Sequence, residues 1–175
     1  MVHADASKFA EGVTKEEAYE QVLLQAEGLL DGQRNWVRKL LPRVSHFNAY
    51  TYRVWPRSGF YTLDPQNTGK PQLILGPFQG KVACQTIVFG RGVCGTAALA
   101  QATQLVPDVE KFPGHIACDG DSKSEIVVPI TIGEGDLKKV VAIIDIDCAE
   151  LNGFDDVDKK YLEQLASLLG RSCDW

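Results

Sequence analysis

The chain has 175 residues and a formal charge of −5, so it has the length of one domain with a sizeable core. Its acidic balance offers no global basic field for nucleic acid or an anionic membrane. No run of about 18 apolar residues occurs, and Met1 to Glu11 has neither a basic nor an apolar signal region. The expected setting is cytoplasmic, with no membrane and no nucleic acid as partner.

Thr14-Lys-Glu-Glu17 is a capping box. Behind it Tyr19, Val22, Leu23, Ala26, Leu29 and Leu30 repeat on one helical face, which predicts a first helix from about Lys15 to Leu30. Residues 33–57 are different: Arg34, Arg38, Lys39, Arg43, Arg53 and Arg57 are met without one acidic residue, and no clean period survives past Pro42. Short β segments follow at Gly59–Leu63, Gln72–Leu75 and Gln85–Phe89, with Asp64–Gly69 as a loop and Gly76–Lys81 as a turn. A short helix is expected over Thr96–Ala102, and Val106-Pro-Asp belongs to a loop. Glu125–Ile132 and Lys139–Asp147 form a hairpin across Gly133-Glu-Gly-Asp136. Asp155 is the expected N-cap of a last helix, whose Val157, Tyr161, Leu162, Leu165, Leu168 and Leu169 share a face and should pack beside the first helix. This order predicts a single domain of α/β (α+β) class, with a central antiparallel sheet and helices packed on one face.

Five cysteines, Cys84, Cys94, Cys118, Cys148 and Cys173, are an odd number with gaps of 10, 24, 30 and 25 residues. They contain no C-x-x-C and fit no zinc finger or ribbon, so no metal ligands are read from the sequence. A disulfide framework is not expected either, which leaves redox or nucleophilic chemistry against the plainer reading of small buried hydrophobes. Cys118 stands in His115-Ile-Ala-Cys-Asp119, a loop where a thiolate can meet solvent, and His115 reads equally well as a plain surface residue. Gly90-Arg-Gly-Val-Cys-Gly95 matches G-x-G-x-x-G, but the helix after it is too short for a dinucleotide crossover. Its glycines serve a tight turn around Cys94 instead.

Asp145 and Asp147 are two apart on a strand and share a face, with Ile144 and Ile146 on the other. Simple pairing of the hairpin brings Glu125 beside them. Burying such carboxylates without a cation or ligand is costly, so the cluster reads as a site. Crowding raises carboxyl pKa values, which supplies a neutral acid able to donate a proton near pH 7.

Five stretches, Leu75–Cys84, Phe89–Ala97, Pro113–Asp119, Ser124–Pro129 and Ile144–Asp147, together resemble the free methionine-(R)-sulfoxide reductases, in a form similar to fungal members. The resemblance covers the first helix and nearly everything from Ser58 onward. It implies a GAF fold, usually a homodimer, acting on free methionine-(R)-sulfoxide. Cys118 is then the nucleophile and Cys84 the resolving thiol, with Cys94 as alternative or second partner. Glu125, Asp145 and Asp147 match the acidic cluster that holds the sulfoxide oxygen and the ammonium group. Tyr61 matches the aromatic wall. No bound cofactor is implied: thioredoxin is the reductant, fed by NADPH through thioredoxin reductase.

The family's Asn-Trp-Ser/Ala-Gly-Phe-Tyr is replaced by Trp55-Pro-Arg-Ser-Gly-Phe-Tyr61, with Arg57 at the methyl-binding tryptophan and Trp55 two residues early. The break between matched flanks reads as a shifted frame or exon boundary, against a lineage-specific insertion. The competing functional reading is a non-catalytic GAF module that binds a small ligand.

Overall fold

The computed structural model describes residues 12–32, 34–35, 57–67, 69–80, 83–116, 118 and 120–175. Trp55 and most of the atypical 33–57 segment lie outside the described residues. Among the described residues three α-helices and six strands follow in the order α1 (Lys15–Leu30), β1 (Arg57–Leu63), β2 (Gln72–Gly80), β3 (Thr86–Val88), α2 (Gly92–Ala100), β4 (Gln104–Val106), β5 (Ser124–Ile132), β6 (Lys139–Cys148) and α3 (Asp156–Ser172). The sheet order is β3-β2-β1-β6-β5-β4, and each neighbouring pair is antiparallel.

Strand alternation divides the molecule into two apolar layers. Phe60, Ile126, Val128, Ile130, Ile144 and Ile146 point to the face covered by α1 and α3, where they meet Ala26, Leu30, Leu162, Leu165 and Leu169. Each large side chain buried there contributes about 1.5–3 kcal/mol. Tyr61, Leu73, Val127, Val140 and Ile143 point the other way, against Val93, Ala97 and Ala98 of α2. The two long helices thus share a face as expected, whereas the short helix α2 closes the opposite one. Its sequence is almost wholly small and apolar and has no polar stripe to reveal which layer it serves.

Both long helices are capped by the residues that the sequence singles out. The Thr14 side chain accepts from the Glu17 amide while the Glu17 carboxylate accepts from Thr14. Asp155 accepts from the amides of Val157 and Asp158, and Asp158 reciprocates. The rings of Tyr19 and Tyr161 stack 5.2 Å apart, fixing α1 against α3. Beneath them the fully buried Asp158 accepts from Tyr19 Oη at 2.7 Å and Lys15 Nζ at 2.5 Å.

Three boundaries differ from expectation. Gly76–Gly80 is strand rather than turn: between Gly59↔Phe78 and Tyr61↔Leu75 the pairing shifts, so Gly76 and Pro77 together oppose Phe60. Such a bulge accepts a proline, and β3 pairs with Gln72–Ile74, so among the described residues the Pro77 position has no strand neighbour on that side. Gln104–Val106 is a strand too short to show alternation. The helix at the glycine motif begins at Gly92, four residues early, because Gly90 and Gly92 take positive φ (80° and 62°) and turn the chain directly into it. Cys94 therefore sits in the first turn of α2.

Gly95 brings α2 close to β3: a Cβ there would overlap the Val88 carbonyl oxygen, whereas Gly28 in α1 has open space around it. Gly95→Ala is expected to cost about 1–3 kcal/mol by forcing α2 outward. Gly28→Ala should add about 0.5–1 kcal/mol through helix propensity alone. Urea unfolding of both variants checks the opposite signs.

Candidate active site

The inner face of the three central strands carries the charged groups. Antiparallel register places Asp147 of β6 opposite Arg57 of β1 on one side and Glu125 of β5 on the other. One step along, Asp145 lies between Gly59 and Val127. All four charged residues are buried, with exposures of 5% for Arg57 and Glu125, 4% for Asp145 and 1% for Asp147. The Arg57 guanidinium grips one Asp147 oxygen through Nε (2.8 Å) and Nη2 (2.6 Å), and Ser122 Oγ donates to the other. Asp145 is approached by Glu125 and Cys94 instead of a cation, and its Oδ1 is buried with no hydrogen-bond partner among the described residues.

Two cysteine-bearing segments close over this row. Cys94 Sγ points from α2 to Glu125 Oε1 at 3.5 Å. A disulfide joins Cys84, just before β3, to Cys118 in the loop before β5, with Cα atoms 5.7 Å apart. Cys94, Cys148 and Cys173 are buried and lie outside this disulfide. A cavity of about 190 Å³ is bounded by the disulfide, Cys94, Tyr61, Arg57 and the three carboxylates, with His115 and Ile116 at its wall. Drug-sized ligands use about 300–1,000 Å³, so this space suits a molecule of amino-acid size. A larger groove of about 720 Å³ between α3 and β5 has none of these groups.

Burial dominates the electrostatics. It pushes Asp145 up to about 7, reinforced by the Asp147 charge and opposed by Arg57. Glu125 is raised well above the carboxylate range by burial and then by Asp145 and Asp147. The Cys94 thiol is raised by burial and the same carboxylates. A helix N-terminus favours a thiolate by only about 0.3–1 kcal/mol, too little to offset two adjacent anions in a dry site. Tyr61 is also raised, chiefly by burial, so its hydroxyl stays protonated. The site thus stores a proton on the Glu125–Asp145 pair near neutral pH, against an Asp147 held by a cation.

The structure brings together Cys84, Cys94, Cys118, Glu125, Asp145, Asp147 and Tyr61, all read from the sequence as site residues. Trp55 lies outside the described residues. Two further groups belong to the site: Arg57, which the sequence marks only as a departure from pattern, and Ser122. Arg57 was recoverable in principle, because three inward carboxylates call for a cation, but its register with Asp147, 90 residues away, is set by the tertiary pairing of β1 with β6.

A six-stranded antiparallel sheet with two long helices on one face and a short helix over a small polar cavity on the other is the architecture of a GAF domain. The GAF domain family model matches residues 53–172. The chain is 52% identical to the free methionine-R-sulfoxide reductase of Saccharomyces cerevisiae over 98% of its length and 94% of that protein. It superposes on a solved GAF domain structure with a TM-score of 0.90 at 52% identity, covering 100% of this chain and 98% of that one. A Neisseria meningitidis free methionine-R-sulfoxide reductase, solved with its substrate, matches at 36% identity and a TM-score of 0.82, over 94% and 93% of the two chains. The chain belongs to the GAF domain family, in its free methionine-R-sulfoxide reductase group.

Arg57→Met is expected to cost about 3–5 kcal/mol, since it leaves a buried carboxylate without its cation. Asp145 sets a pH dependence whose sign is fixed. Its folded pKa of about 7 exceeds the ordinary 3.8, so the folded protein holds an extra proton between those values and loses stability as pH rises through the window. Asp145→Asn should flatten that decline, as urea unfolding at pH 4.5, 6 and 7.5 would show.

Proposed function

We propose that the chain reduces free L-methionine-(R)-sulfoxide to methionine, using Cys118 as nucleophile. The observation that carries this reading is the convergence of the Cys84–Cys118 disulfide and a proton-holding carboxylate cluster on one cavity of amino-acid size. The Cys118 thiolate attacks the sulfoxide sulfur while the Glu125–Asp145 pair gives a proton to the departing oxygen. The hydroxyl then passes to the Cys118 sulfur as that sulfur's bond to the substrate and the substrate's S–O bond both break, so methionine leaves reduced and Cys118 becomes a sulfenic acid. Cys84 attacks this sulfur, water is released, and the disulfide seen in the structure is formed. Thioredoxin returns the pair to dithiol, with NADPH as the ultimate electron source through thioredoxin reductase. The protein acts in the cytoplasm as a homodimer and needs no bound cofactor.

The carboxylates also explain a preference for the free amino acid. They attract an ammonium group, which a peptide bond removes. Tyr61 supplies an apolar wall within reach of the substrate's methyl end. A ligand-binding module without chemistry has no use for a thiol pair bordering the same cavity, which favours the enzymatic reading.

The test is loss of free methionine-(R)-sulfoxide with thioredoxin, its reductase and NADPH. Cys118→Ser should abolish turnover with the fold intact, because a hydroxyl cannot form the sulfenic intermediate. Full turnover by this variant would remove Cys118 from its role. Cys84→Ser should release about one methionine per site and then stall, since resolution follows chemistry. Only the R epimer should disappear, and a methionine-sulfoxide peptide should react far more slowly than the free compound.

Turnover should fall as pH rises through about 7 and the Asp145–Glu125 pair loses its proton. In Arg57→Met that limb should move to higher pH, because the guanidinium charge opposes protonation of Asp145. A pH–rate profile flat from 6 to 9 would exclude the pair as proton donor.

A further inference from the structure

Cys94 of α2, Glu125 of β5 and Asp145 of β6 each present one donor atom, and the three atoms lie within 4.8 Å of one another. The Cys94 Sγ to Glu125 Oε1 separation is 3.5 Å. Bonds of about 2.3 Å to a thiolate sulfur and about 2.0 Å to a carboxylate oxygen, meeting at a tetrahedral angle, span about 3.5 Å. A thiol–carboxyl hydrogen bond gives the same edge, so distance alone does not decide. The second observation is Asp145, a residue of the same cluster only 4% exposed, whose buried Oδ1 has no hydrogen-bond partner among the described residues. Buried acceptors are seldom left so, and an orphaned one marks a place for a positive ligand.

We propose that Cys94, Glu125 and Asp145 form a binding site for a divalent cation of the zinc class, with a fourth position open to the cavity. One soft sulfur and two oxygens suit zinc, whereas calcium and magnesium take larger all-oxygen shells. A thiolate and two carboxylates offset the ion's charge in a place where each is otherwise too costly to ionise. The ion binds the deprotonated thiol and carboxyls, so affinity rises with pH. The Cys84–Cys118 disulfide supplies no ligand, and the oxidised protein is therefore competent. Occupancy withdraws both members of the proton-holding pair, which makes the ion an inhibitor of any chemistry in the cavity. Sequence spacing hides the site because its donors come from three separate elements.

The experiment is titration of the metal-free, disulfide-intact protein with Co2+, followed by competition between Zn2+ and a chromophoric chelator. One equivalent should bind per chain, with a thiolate-to-cobalt charge-transfer band in the near ultraviolet and the intense visible bands of tetrahedral cobalt. Cys94→Ser should remove the charge-transfer band. Asp145→Asn should weaken Zn2+ binding at least about tenfold. Cys148→Ala and Cys173→Ser should change neither, and far-ultraviolet circular dichroism confirms each fold. A wild-type cobalt spectrum without the charge-transfer band overturns the site even if Cys94→Ser fails to fold, as does a band that survives in Cys94→Ser. None of these readouts uses sulfoxide turnover, so failure here is distinct from failure of the reductase reading.

Discussion

Three carboxylates buried on the inner face of the central strands, with one buried guanidinium beside them among the described residues, are the constraint on which the site depends. Glu125, Asp145 and Asp147 are each at least nineteen-twentieths buried. Arg57 compensates Asp147 from the adjacent strand, and protonation within the Glu125–Asp145 pair offsets part of the remaining charge. A second cation at Asp145 would lower its pKa and discard the stored proton. Without Arg57 a third carboxyl would be left to compete for protons. The arrangement holds one fixed anion beside a pair that keeps a proton, a division of roles that interior burial enforces through desolvation.

The scaffold makes that cost bearable. The opposite face of β1, β5 and β6 is a continuous apolar layer under α1 and α3, so strain on the charged face is met by burial on the other. The short helix α2 approaches closely because Gly95 has no side chain, which brings Cys94 onto Glu125. The loop carrying Cys118 and the segment carrying Cys84 are joined across the cavity wall. The cysteine pair and the carboxylate cluster are therefore neighbours through tertiary structure, though they lie on separate elements.

Much of this was legible where local periodicity and short connections control the outcome. The β5–β6 hairpin has a short loop, so its alternation fixed the shared face of Asp145 and Asp147, and its register placed Glu125 beside them. Capping chemistry located the starts of α1 and α3. Less was legible where neighbours far along the chain decide. The bulge that keeps Gly76–Gly80 in β2 depends on pairing with β1, and α2 begins early because two glycines adopt left-handed conformations. Its side of the sheet follows from packing against Val127 and Ile143, about which its own uniformly apolar sequence is silent. Arg57 sat in a basic stretch without period, and only the pairing of β1 with β6 shows it facing an acid.

The most direct measurement is a single turnover with fully reduced protein and no external reductant. It would quantify methionine released from free methionine-(R)-sulfoxide and map the resulting disulfide by peptide mass spectrometry. The account predicts one methionine per chain, formed together with a bond between Cys84 and Cys118. Absence of methionine, or its release with both of those thiols still free, would contradict it.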